Sequence, residues 1–128
     1  MLTLYFYFDI IIIEIKERKL IKMIFDIQNI IGTKRVVYGV FLDDKAVYIG
    51  QTKKDVLTRI AQHLSKEETI IKYVRKHKIK KLRVEILYAY KNNHKDLKKL
   101  LDTKETEFMK KYKSMGYELI NISKIKKL

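Results

Sequence analysis

The chain has 128 residues with no cysteine, proline or tryptophan, and its 29 Lys/Arg against 15 Asp/Glu give a formal net charge of +14. That length fits one domain with a modest core, and 47 % hydrophobic with 34 % charged residues excludes both a disordered tail and a bundle of membrane spans. Without cysteine there are no disulfides, thiolate nucleophiles or cysteine-ligated zinc, while the positive excess favours a polyanionic partner, nucleic acid first and an anionic membrane surface second.

Residues 1–33 hold four cations and four anions, so the whole excess lies in residues 34–128. The apolar run 2–13, interrupted by Thr3 and Asp9, is aromatic and β-branched and predicts a buried or pairing strand. It is too short to span a bilayer, and the central charge makes insertion worse. No cation precedes the run and no small-residue cleavage site follows, so a secretory signal does not fit. A second apolar stretch covers 23–31, with Met23 as an alternative start. The expectation is a neutral N-terminal extension over 1–33, serving as a subunit contact or an added edge strand, ahead of a basic domain over 34–128.

Residues 35–42 and 47–50 read as strands joined by the turn chemistry of Asp43-Asp44-Lys45, a β-hairpin. Thr52-Lys53-Lys54-Asp55 has the spacing of a capping box. The helix expected after it places Val56, Leu57, Ile60, Ala61 and Leu64 on one face. Ser65-Lys66-Glu67-Glu68 repeats the capping pattern before a helix carrying Ile70, Ile71 and Val74. From 72 to 83 there are seven cations and no acid. A third strand over 82–90 alternates Leu82, Val84, Ile86 and Tyr88; a long helix over 95–113 stops at Gly116; a short apolar piece over 117–122 follows. The order predicts an α/β (α+β) fold: a small, mostly antiparallel three-stranded sheet flanked by helices, with the extension in front.

Two polar features break the apolar pattern. Leu97, Leu100, Leu101, Phe108 and Tyr112 define the buried stripe of the long helix, and a step of about 100° per residue places Glu105 inside that arc. A carboxylate there must be paired, protonated or bound to a metal, because burying it bare costs several kcal/mol. On the first helix Arg59 and His63 are four apart and share a side.

Together these residues resemble the GIY-YIG nuclease family. Val36-Val37-Tyr38 stands at the first motif and Tyr48-Ile49-Gly50 ten residues on at the second. Arg59 and His63 follow on a helix, then Glu105 in Glu-Thr-Glu-Phe-Met-Lys-Lys-Tyr and Asn121 in Gly-Tyr-Glu-Leu-Ile-Asn. The resemblance covers roughly residues 35–123. The first motif departs from the family, its Gly and Ile being replaced while Tyr38 is kept. Gly39-Val40-Phe41 offers another register that loses the tyrosine, and the spacing to Tyr48 favours Tyr38.

The resemblance implies a metal-dependent DNA endonuclease, with a non-catalytic basic nucleic-acid-binding module on the same fold as the alternative. It implies one divalent cation, Mg²⁺ or Mn²⁺, on Glu105, its other positions filled by waters and a substrate phosphate. Arg59 would grip the scissile phosphate, and Tyr38, with Tyr48 beside it, would be the general base or water-orienting group. Such a base needs its pKa lowered from about 10, which nearby arginine and metal charge favour. His63 would orient or relay the proton, and Asn121 would hold the site together. Lys53, Lys54, Lys76, Lys78 and Lys80 are the expected phosphate contacts. DNA is the expected partner, no membrane is expected, a homodimer is an option for double-strand cutting, and the expected location is cytoplasmic.

Overall fold

In the computed structural model, residues 3–7, 10–15, 19–26, 30, 32–65 and 69–121 are described. The hairpin forms where the sequence places it, with β4 (Val36–Leu42) antiparallel to β5 (Ala46–Thr52). Asp43 and Asp44 both take positive φ, 51° and 52°, and Lys45 N–H donates to Leu42 C=O at 3.1 Å, in a connection that brings Leu42 opposite Ala46. The Asp43 carboxylate also accepts from Lys80 N–H and Lys81 N–H, tying the turn to the start of β6 (Lys81–Ala89).

β4 is buried at all seven positions, as a strand covered on both faces must be. Val36, Tyr38, Val40 and Leu42 point to one face, where α1 (Val56–Ser65) and α2 (Thr69–His77) contribute Val56, Ile60, Leu64, Ile70, Ile71 and Val74. Val37 and Phe41 point to the other, with Val47 and Ile49 of β5, against Leu97, Leu101 and Met109 of α3 (Leu97–Ser114). Two helices on one side and one on the other therefore enclose β4. Among the described residues no helix is long and apolar enough to cross a membrane.

The sheet departs from the three-stranded expectation. Within the basic region it has four strands and is mixed, because β7 (Glu118–Leu119) adds to β5 in parallel through Ala46 and Val47. A two-residue strand has no alternation to read, and its direction follows from the turn at Gly116, where φ is +93°. The extension also differs. Where one strand was expected over 2–13, the backbone forms β1 (Thr3–Tyr7) and β2 (Ile10–Ile15), with β3 (Lys19–Asp26) after them. β3 pairs in parallel with β6, giving the order β1-β2-β3-β6-β4-β5-β7.

Two local readings shift. Asp55, not Thr52, caps α1, its Oδ2 accepting from Thr58 N–H at 3.0 Å; Thr52 instead accepts from Lys54 N–H in a local turn. Of the second capping pattern, Lys66, Glu67 and Glu68 lie outside the described residues, and Ser65 is the last residue of α1. A bulge between Val37 and Tyr38 breaks the alternation of β6, so Leu82, Val84 and Ile86 share one core while Tyr88 lies exposed beneath the Lys104 ammonium.

Candidate active site

The site forms where β5 leaves the sheet. β7 pairs only with Ala46 and Val47, so the ladder ends before Ile49. The Asn121 side chain continues it: Oδ1 accepts from Ile49 N–H at 2.9 Å and Nδ2 donates to Ile49 C=O. A buried amide thus substitutes for a missing strand and satisfies backbone groups that would otherwise be stranded.

On the α1 side, Tyr38 and Gly50 are directly paired across the hairpin. A Cβ on Gly50 would stand 2.5 Å from both Tyr38 Cζ and its hydroxyl oxygen. The phenol therefore lies flat over a glycine that leaves it room, a requirement that no pattern of hydrophobicity reveals. The Tyr38 hydroxyl is 2.9 Å from His63 Nε2, within hydrogen-bond distance. His63 is buried, and the half-buried Tyr48 meets it edge to face with ring centroids 4.9 Å apart. Arg59, one turn before His63, donates to Gln62 Oε1 at 3.3 Å, and its charge is near enough to the Tyr38 hydroxyl to act on its ionisation. Phe41 packs on the opposite face against Tyr112 and Tyr117, so of the two registers only Tyr38 faces His63.

Glu105 comes from the other layer. It lies on the α3 stripe between Leu101 and Met109 and is 3 % exposed, as its helical phase requires. The carboxylate is near enough to Tyr38 to act on its ionisation. One turn earlier, Asp102 accepts from Gln51 on β5, pinning α3 to the strand that carries Tyr48 and Gly50. Tyr38, Tyr48, Arg59 and His63 are thus gathered on one face, Asn121 at the edge, and Glu105 behind.

At the Tyr38 phenol, burial and the Arg59 charge pull in opposite directions. Burial pushes its pKa well above the ordinary tyrosine value; Tyr48 adds to the rise, the Arg59 charge opposes it, and Glu105 raises it further. Desolvation of a would-be phenolate outweighs one guanidinium, so Tyr38 stands as a phenol.

The basic residues are dispersed. Lys53 and Lys54 are exposed in the loop from β5 to α1, beside the site. Lys76 is on α2, Lys78 follows its end at a positive φ of 51°, and Lys80 precedes β6, all exposed. Arg83, in the same run, is committed internally to Asp44, Glu85 and the Phe41 ring.

A family model for the GIY-YIG catalytic domain matches residues 30–118. No curated protein and no solved structure matches the chain.

Proposed function

The chain belongs to the GIY-YIG catalytic domain family, a family of nucleases, and from that membership we propose that it is a divalent-metal-dependent DNA endonuclease. The observation that carries the reading is the buried Tyr38 hydroxyl held 2.9 Å from His63 Nε2, with Tyr48 edge to face on the same imidazole.

Because Tyr38 is a phenol, it acts as a relay rather than as a standing base. Its proton passes to His63 Nε2 as its oxygen takes one from the attacking water, so no free phenolate accumulates. Tyr48 walls the imidazole and keeps its ring edge toward Tyr38. The Arg59 fork binds the non-bridging oxygens of the scissile phosphate and neutralises charge in the transition state. Asn121 fixes the backbone of Ile49 and so the position of Gly50 beneath the phenol.

Glu105 fits a hard divalent cation. It is a buried oxygen donor, and the described residues contain no group of three His, Cys, Asp or Glu able to hold a metal. A single carboxylate, with waters and phosphate oxygens completing the shell, suits Mg²⁺ or Mn²⁺ and not zinc. Bound there, the cation would supply Lewis-acid stabilisation of the phosphate and the leaving alkoxide. Lys53 and Lys54 then meet phosphates next to the cleaved one, and Lys76, Lys78 and Lys80 meet more distant ones. The chain as described lends no support to a homodimer, and nicking one strand requires none.

The test is supercoiled plasmid incubated with protein and Mg²⁺, with and without chelator. Conversion to the nicked form only in the presence of metal supports the reading. Binding without cleavage under Mg²⁺ and Mn²⁺ returns the protein to the alternative, a basic binding module.

A further inference from the structure

A cavity of about 370 Å³ lies between α2 and the β7 segment, outside the catalytic cluster. On α2, Lys72 and Lys76 form one row at helical spacing, and Tyr73 with His77 forms a second row beside it. The two rings stack, with centroids 4.1 Å apart and planes 26° from parallel. Tyr73 O–H donates to Glu118 Oε2 at 2.7 Å, bridging α2 to β7 and fixing the ring plane, and Ile120 gives an apolar wall. Tyr73 also leans on the core, whereas His77 is exposed and leaves aromatic surface open.

The groove runs into the catalytic edge. Glu118 N–H donates to Lys45 C=O and Ile120 N–H to Val47 C=O, and the next residue, Asn121, holds Ile49. Glu118 is thus three residues from Asn121 along extended chain, roughly 10 Å, or about three nucleotide steps of duplex rise.

Resting on the nuclease reading, we propose that this groove is a nucleotide subsite that stacks one unpaired base of the DNA strand near the scissile phosphate. A stacked ring pair beside two cations is the chemistry of a single-strand platform, with the base on the rings and phosphates on the lysines. The Glu118 charge sets the orientation, since it repels phosphate from the β7 end and leaves that end to the base. A paired base is stacked between its neighbours and cannot reach such a wall, so the base must be unpaired or turned out.

The experiment uses the full chain carrying Glu105→Gln, so that binding is read without cleavage. A single-stranded oligonucleotide with one 2-aminopurine is titrated and its fluorescence followed, because stacking quenches it. At least twofold quenching at saturation is expected. Adding His77→Ala, an exposed change that spares the core, should remove most of the quenching. Lys72→Gln with Lys76→Gln should weaken affinity several-fold yet restore full quenching at saturating protein. No quenching, or quenching unchanged by His77→Ala, overturns the subsite. Quenching by a protein whose parent fails to nick plasmid upholds the subsite and refutes the nuclease reading; nicking without quenching does the reverse.

Discussion

Gly50→Ala is the smallest change that tests how the site is built. The added methyl would meet Tyr38 Cζ and the hydroxyl oxygen at 2.5 Å, whereas carbon contacts are comfortable at about 3.5 Å, so one partner must move by about 1 Å. Tyr38 is 1 % exposed and hemmed by the core, which makes the change an overpacking one costing about 1–3 kcal/mol. The same displacement breaks the bond to His63, a further loss of about 1 kcal/mol. A 1 Å error at reacting groups lowers rates by about 10²-fold. Urea unfolding and plasmid nicking normalised to folded protein measure the two effects. In a Tyr38→Ala background the glycine substitution should cost almost nothing, giving a coupling energy of about 2–4 kcal/mol. A Gly50→Ala protein of normal stability and normal nicking rate would refute the placement of the phenol over Gly50.

Tyr38→Phe should cost about 1 kcal/mol and abolish nicking, as read by denaturation and plasmid assay. Because the Tyr38 phenol is raised and that of Tyr73 is pushed up to about 12 by burial and Glu118, the unfolded chain releases these protons first. Their stability contribution is therefore whole below about pH 10 and declines as the pH rises through the folded values. Alkaline unfolding curves should show that decline, and Tyr38→Phe should make it shallower. Asn121→Asp sets a carboxylate oxygen against Ile49 C=O in place of the Nδ2 donor, and should cost about 1–3 kcal/mol in urea unfolding together with nicking activity. Lys78→Gly should stabilise by about 1 kcal/mol in thermal unfolding, because Lys78 takes a positive φ after α2 while Ile79 N–H returns to Val74 C=O, the helix ending that usually employs glycine.

The legible parts of the fold were those that periodicity specifies. Val56, Ile60 and Leu64 of α1, Ile70, Ile71 and Val74 of α2, and the buried phase of Glu105 on α3 all lie where a step of about 100° puts them. The hairpin was legible from two aspartates flanked by β-branched runs. β7 was not, because two residues carry no period and its pairing depends on the Gly116 turn. The bulge in β6 was equally silent, since its register is set by β4 across the sheet. Of the candidate site, the residue types and spacings named Tyr38, Tyr48, Arg59, His63, Glu105 and Asn121. They could not reveal that Glu105 approaches from the opposite layer, that Asn121 extends a ladder, or that burial overrides Arg59 at Tyr38. Each of those depends on which faces meet, and so does the pairing of Tyr73 with Glu118 across 45 residues.

The central claim is that Glu105 carries the metal-dependent step of DNA hydrolysis, and Glu105→Gln tests it most directly. The substitution keeps size and hydrogen-bonding capacity at a residue 3 % exposed while removing the charge a divalent cation needs. Single-turnover nicking of supercoiled plasmid in Mg²⁺ should fall by about 10²–10³-fold, the range seen when transition-state electrostatics are removed. DNA affinity without metal and the urea midpoint should stay close to the parent's. A variant that nicks at the parent rate would contradict the account, and one that loses activity only because it unfolds would assign Glu105 to the core instead.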